Sequence, residues 1–134
     1  MLFITVQPDG SIEEVEVDGE TYPVLSAAVK GWIEPVHYAD DLEHYHNEEY
    51  LYAEGEVFQQ INLTVALLKP GAIVYGPVIF TGGVDDEGET RGLNALRALQ
   101  IKEKAANVRQ NLDAYRAQVA GWPKPEPSVS ITAW

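Results

Sequence analysis

The sequence predicts an α+β domain: a small, mostly antiparallel sheet with a short helix, followed by one long C-terminal helix and an extended tail. Three observations carry that expectation. Up to residue 89 the chain breaks into short apolar runs separated by Pro, Gly and Asp turn signals. From 90 to 120 there is no proline, and from Gly92 to Gly121 no intervening glycine, while apolar residues recur at helical spacing. Finally, 134 residues with 46% apolar content suit one compact globule, which at this length buries roughly two thirds of its unfolded surface.

Leu2 to Val6 has strand composition, Pro8-Asp9-Gly10 reads as a turn, and Ser11 to Val17 sets Val15 and Val17 among acids, as on a strand with one wet face. Together they predict a β-hairpin, ended by Asp18-Gly19. A short helix follows from about Pro23 to Lys30, with Pro23 suited to the first helical position and Gly31 to the left-handed position after the last turn. Trp32 to Tyr38 reads as extended, and Pro35 marks an edge or a bulge because it cannot donate to a ladder. Leu42 to His46 and Tyr50-Leu51-Tyr52 predict a second hairpin around Asn47-Glu48-Glu49. Ile61 to Leu68 is ambiguous, because so short an apolar run does not separate a helical turn from a strand. Ala72 to Tyr75 and Val78 to Thr81 read as strands on either side of Gly76-Pro77, and Gly82-Gly83 ends the sheet.

Residues 90–121 form the predicted long amphipathic helix. Ile101, Ala105, Val108, Leu112, Tyr115 and Val119 are spaced 4, 3, 4, 3, 4, a seam along one face. Leu93, Leu96 and Leu99 fall off it and are expected to face the body. A helix of ~30 residues is ~45 Å long and exceeds the width of a body of this size, so it overhangs, bends back or pairs with another copy. In residues 122–134 every second residue from Pro123 to Pro127 is proline, and Ser128 to Trp134 alternates as a strand does. Trp134 joins the seam as a candidate oligomer contact.

Charge divides the chain unevenly. The formal net charge is −12, yet residues 1–60 carry 14 acids and one base, whereas 90–120 carry six bases and two acids. The acidic body repels phosphate backbones and excludes direct nucleic-acid binding by that part. It suits a basic protein partner, with Glu13, Glu14, Glu16, Asp40, Asp41, Glu43, Glu48 and Glu49 as the candidate contact residues. No apolar run approaches a membrane span, and the start lacks the pattern of a secretory signal, so a cytoplasmic protein is expected. The absence of cysteine excludes disulfides, thiolate metal sites and thiol nucleophiles.

All three histidines fall within residues 37–46. His44 and His46 point to one side of a strand, the start of a metal-binding pattern. The pattern is incomplete: Glu49 follows too soon and no later histidine supplies a further ligand, so neither a metal nor another cofactor is expected. Asp40/Asp41 and Glu48/Glu49 are adjacent and point to opposite faces of a strand, which makes them poor acid/base dyads. Residues 82–88 have glycines without the lysine of a phosphate loop, and no nucleophile elbow is present. No catalytic residue is legible. Trp32, His37, Tyr45, His46 and Tyr52 remain as candidate lining of a small-ligand or nucleotide pocket.

At Lys30-Gly31-Trp32-Ile33-Glu34-Pro35-Val36, then Asn47-Glu48-Glu49, Asn62, Gly76 to Gly82, Asp85 and Gly88, the chain resembles domain of unknown function 3846. These are small proteins of bacteriophages, actinobacteria and other bacteria. The resemblance spans roughly residues 1–93 and implies a small α+β domain from a phage or mobile element, in a bacterial cytoplasm, with no established activity to carry over. Tyr50 stands where many relatives have glycine. Three readings of function follow. The first is a non-enzymatic accessory protein that binds a basic host or phage protein through its acidic face, for instance by imitating DNA. The second is a small-ligand or nucleotide binder. The third is a structural protein that self-assembles through the helix seam and the C-terminal strand.

Overall fold

The computed structural model describes residues 1–122. The predicted C-terminal strand, with Trp134, lies outside them. Five strands form one antiparallel sheet: β1 Leu2–Val6, β2 Ile12–Glu16, β3 Ile33–Ala39, β4 Leu42–Asn47 and β5 Val78–Thr81, in the order β2-β1-β5-β4-β3. Sequence chemistry sets that order. In β1 and β5 nearly every residue is buried, so these strands occupy the middle, whereas acid-rich β2 and Pro35-bearing β3 take the edges.

One face of the sheet is covered by α1, Tyr22–Val29, around Phe3, Val17, Leu25, Val29, Tyr45 and Ile79. The other is covered by α2, Leu63–Leu68, and α3, Ala95–Gln110, which close over Ile4, Val6, Val78 and Phe80. A third cluster joins Ile61, Leu63, Tyr75 and Val108 to α4, Leu112–Val119. No helix among the described residues is long and apolar enough to cross a membrane.

The β1–β2 hairpin forms as expected, and the ambiguous segment from Ile61 is helical at α2. Other local expectations need correction. The β4 strand pairs with β3 across a two-residue Asp40-Asp41 turn and with β5 on its other side, while residues 50–52 lie in turns. Ala72 to Tyr75 makes no strand beyond an isolated bridge from Tyr75 to Ile61. The left-handed residue after α1 is Lys30, φ 64°, and Gly31 is needed for a different reason: a Cβ there would sit 2.8 Å from Asn47 Nδ2. That carboxamide donates to the carbonyls of Val29 and Lys30 and so closes the helix end.

The long helix begins at Ala95 rather than 90, capped by Asn94 Oδ1 accepting from Arg97 N at 2.8 Å, and it breaks at Asn111 into α3 and α4. Its seam turns inward. Ile101, Ala105 and Val108 are fully buried against their own chain, and Leu112, Tyr115 and Val119 pack on the third cluster. The α3 half of the seam is therefore occupied by its own chain, while the α4 half is only partly covered. Leu93 does face the body, but Leu96 and Leu99 are 63% and 52% exposed. They lie off the Ala98–Ile101–Ala105 stripe, and that stripe makes the contact.

Candidate functional site

On the α2/α3 face, β3 and β4 bring together four titratable side chains. Register places Glu34 opposite His46 and Val36 opposite His44, and a bulge between His37 and Ala39 carries the strand past Tyr38. Tyr38 Oη lies 2.6 Å from His44 Nδ1, His44 Nε2 lies 2.9 Å from His46 Nδ1, and His46 Nε2 lies 3.0 Å from Glu34 Oε1. The chain runs from the interior to the surface: His44 is fully buried, His46 nearly so, and the Glu34 side chain is half exposed.

Burial sets the protonation of this chain. Desolvation lowers the His44 pKa to about 3, with the coupling to His46, repulsive when both rings are protonated, and the Lys69 charge adding to the effect. His46 is also lowered by desolvation, against the pull of Glu34, and the Tyr38 hydroxyl is pushed up. Both imidazoles are therefore neutral near neutral pH. The rings of Phe80 and Tyr50 hold them edge-on, with Phe80 5.7 Å from His44 and Tyr50 5.6 Å from His46.

Tyr38 also lines a cleft of about 610 Å³ between the β3–β4 turn, the end of α2 and α3. Its lining mixes the apolar Ala39, Leu42, Leu67, Leu68 and Pro70 with Gln100, three cations, Lys69, Arg97 and Lys104, and one acid, Glu103. The Lys69 ammonium stands 5.5 Å from the centre of the Tyr38 ring and donates to the His37 carbonyl at 3.1 Å. Arg97 Nε donates to Asp41 at 2.8 Å, an interaction that holds the Asp41 carboxyl below its usual range.

The acids expected to form one face are dispersed. Glu13, Glu14 and Glu16 lie on the β2 edge, Asp40 and Asp41 in the β3–β4 turn, Glu43 on the inner strand β4, and Glu48 and Glu49 beyond the far end of β4. Several already have partners within the chain: Glu14 with Lys102, Glu16 with the N-terminal amine, Asp41 with Arg97, and Glu43 with His37. The five residues of the expected ligand pocket do not converge either. Tyr45 packs under α1 with Ile79, on the sheet face opposite His46. His37 is exposed at the other end of β3, and Trp32 and Tyr52 are 65% and 58% exposed beside a shallow groove at Gly31. Among the described residues no three His, Asp or Glu side chains are placed to hold a metal, and the facing nitrogens of His44 and His46 are engaged with each other.

Sequence reasoning paired His44 with His46 on one side of a strand but missed Glu34, Tyr38, Lys69, Arg97 and Lys104 as site residues. The signal was present: pairing 33–39 with 42–47 across Asp40-Asp41 sets Glu34 directly opposite His46. No curated protein and no solved structure matches the chain significantly. The model of one family, described as a domain of unknown function (DUF3846), matches residues 1–106, from β1 through most of α3, and the chain belongs to that family.

Proposed function

We propose that this protein binds a small anionic ligand with a flat apolar body in the cleft between the β3–β4 turn, α2 and α3. One observation carries the reading: in a molecule of net charge −12, Lys69, Lys104 and the Asp41-paired Arg97 line one cleft with a single acid, Glu103, beside the apolar side chains of Leu42, Leu67 and Leu68. Low-dielectric walls concentrate the field of such charges where a ligand enters, and apolar floors with a few polar groups are the usual build of small-ligand sites. A nucleotide or an aromatic carboxylate has this chemistry. The test is calorimetric titration with nucleoside monophosphates and aromatic carboxylates, repeated with Lys104→Ala and Lys69→Ala. Each substitution is expected to weaken binding about tenfold, or ~1.4 kcal/mol. Binding indifferent to both, or no binding across the panel, refutes the reading.

A second reading, capture of a basic protein, is favoured by the β2 edge alone. There an unpaired strand edge coincides with Glu13, Glu14, Glu16, Asp18 and Glu20. Affinity for a lysine-rich peptide should fall steeply with salt and be lost in Glu13→Lys; salt-independent binding would exclude it.

A further inference from the structure

The hydrogen-bonded chain from Tyr38 to Glu34 has a direction fixed by elementary chemistry. An ionised carboxylate only accepts, so His46 Nε2–H donates to Glu34 Oε1. A neutral imidazole protonated at Nε2 accepts at Nδ1, so His44 Nε2–H donates to His46 Nδ1. The same logic makes the Tyr38 hydroxyl donate to His44 Nδ1. A single placement of hydrogens satisfies all three bonds, and every proton is poised to move toward Glu34.

We infer that Tyr38, His44, His46 and Glu34 form a proton relay that takes a proton from an acidic N–H or O–H of a ligand in the cleft and delivers it to Glu34 at the surface. This rests on the ligand reading above. The ligand X–H bond breaks, its electron pair stays on X, and the proton joins the Tyr38 oxygen. In the same movement the Tyr38 hydroxyl proton passes to His44 Nδ1, the His44 Nε2 proton to His46 Nδ1, and the His46 Nε2 proton to Glu34 Oε1. Tyr38 ends protonated, both imidazoles end neutral as the opposite tautomers, and Glu34 has lost its charge. No charge is stranded on Tyr38 or on the two buried imidazoles, which suits an interior that penalises charge. The groups facing the relay are Lys69 over the Tyr38 ring, Tyr50 against His46, and Phe80 against His44 and Tyr38. Lys69, over the Tyr38 ring and in the lining of the same cleft, supplies a positive charge at the end of the relay where the anion forms.

The test has two arms on the full chain. Nitrogen NMR of the free protein at neutral pH should show His44 and His46 both neutral with the proton on Nε2. Glu34→Gln, whose amide donates as well as accepts, should then populate the other tautomer at His44, which does not hydrogen-bond residue 34. A proton on Nδ1 in the wild type, or a His44 spectrum unmoved by Glu34→Gln, overturns the relay. The second arm uses a hydroxy-nitrobenzoate, whose phenolate is coloured. Bound to the wild type it should ionise at a pH roughly one unit lower, about tenfold more readily, than when bound to Glu34→Gln or Tyr38→Phe. Absence of Lys104-dependent binding overturns both readings, whereas Lys104-dependent binding with the same titration in all three proteins overturns the relay alone.

Discussion

Asn62 stands for how single residues position this fold. Fully buried, its amide nitrogen donates to the carbonyls of Val6 and Gly76, both at 3.0 Å, and its oxygen accepts from Val65 N to cap α2. It ties together a strand, a helix start and the loop before β5. Asn47 and Gly31 do the same at the end of α1, and a Cβ on Gly82 would lie 2.1 Å from the Gly92 carbonyl oxygen. The motif residues that carry the family resemblance therefore include backbone-holding residues, while the candidate chemistry sits largely on others. Thr64 is the exception to polar satisfaction, since its hydroxyl is buried without a partner among the described residues. Valine keeps the branched shape and removes the orphaned group, whose desolvation costs about 1–3 kcal/mol. Thr64→Val is accordingly expected to raise stability by about 1 kcal/mol, measured as a higher urea midpoint at unchanged slope; a lower midpoint would mean that the hydroxyl has a partner.

At the scale of elements, the β3–β4 hairpin couples stability to pH. His44 titrates near 6.5 when unfolded and at about 3 when folded, and His46 is shifted in the same direction. Between those values the unfolded chain binds more protons, so stability is complete above about pH 6.5 and falls as pH drops toward 3, by up to ~1.4 kcal/mol per pH unit for His44, with His46 adding in the same direction. Urea melts at about pH 7.5 and pH 5 should show that loss, and His44→Gln should reduce it; identical midpoints at the two pH values would contradict neutral burial. The strands of this hairpin were legible in the sequence, but their pairing was not. Asn47-Glu48-Glu49 reads as a turn no less than Asp40-Asp41, and aromatic runs flank both. Choosing the wrong turn hid Glu34 and Tyr38, because a site built across two strands exists only in the correct register. Periodicity found the inward stripe of α3. It had no power to say whose surface the stripe meets, since a heptad-like seam looks the same packed on its own sheet or on another copy.

For the molecule as a whole, the split between an acidic first half and a basic helix describes contacts within one chain. Lys102 pairs with Glu14 on β2, Arg97 pairs with Asp41 at the β3–β4 turn, and Arg109 donates to the Gly10 carbonyl at 2.5 Å. One helix thus bridges both sheet edges by charge and fills the groove between them with Ala98, Ile101 and Ala105. Salt has opposing effects on this arrangement. It screens the exposed pairs, each a small contribution, and it also screens the self-repulsion of a chain at −12. The repulsion is summed over many like charges, while few pairs hold the helix, so the repulsive part dominates. Melting temperature is therefore expected to rise from about 0.1 M to about 1 M salt, as the Debye length falls from ~10 Å to ~3 Å. Lys102→Glu removes an attraction and adds to the repulsion around Glu14, so its deficit relative to wild type should be largest at low salt and shrink at high salt. Thermal melts of both proteins at the two salt concentrations decide it. A deficit of constant size would show that Lys102 holds the helix by packing its aliphatic stem, and that charge has little part in docking α3 on the sheet.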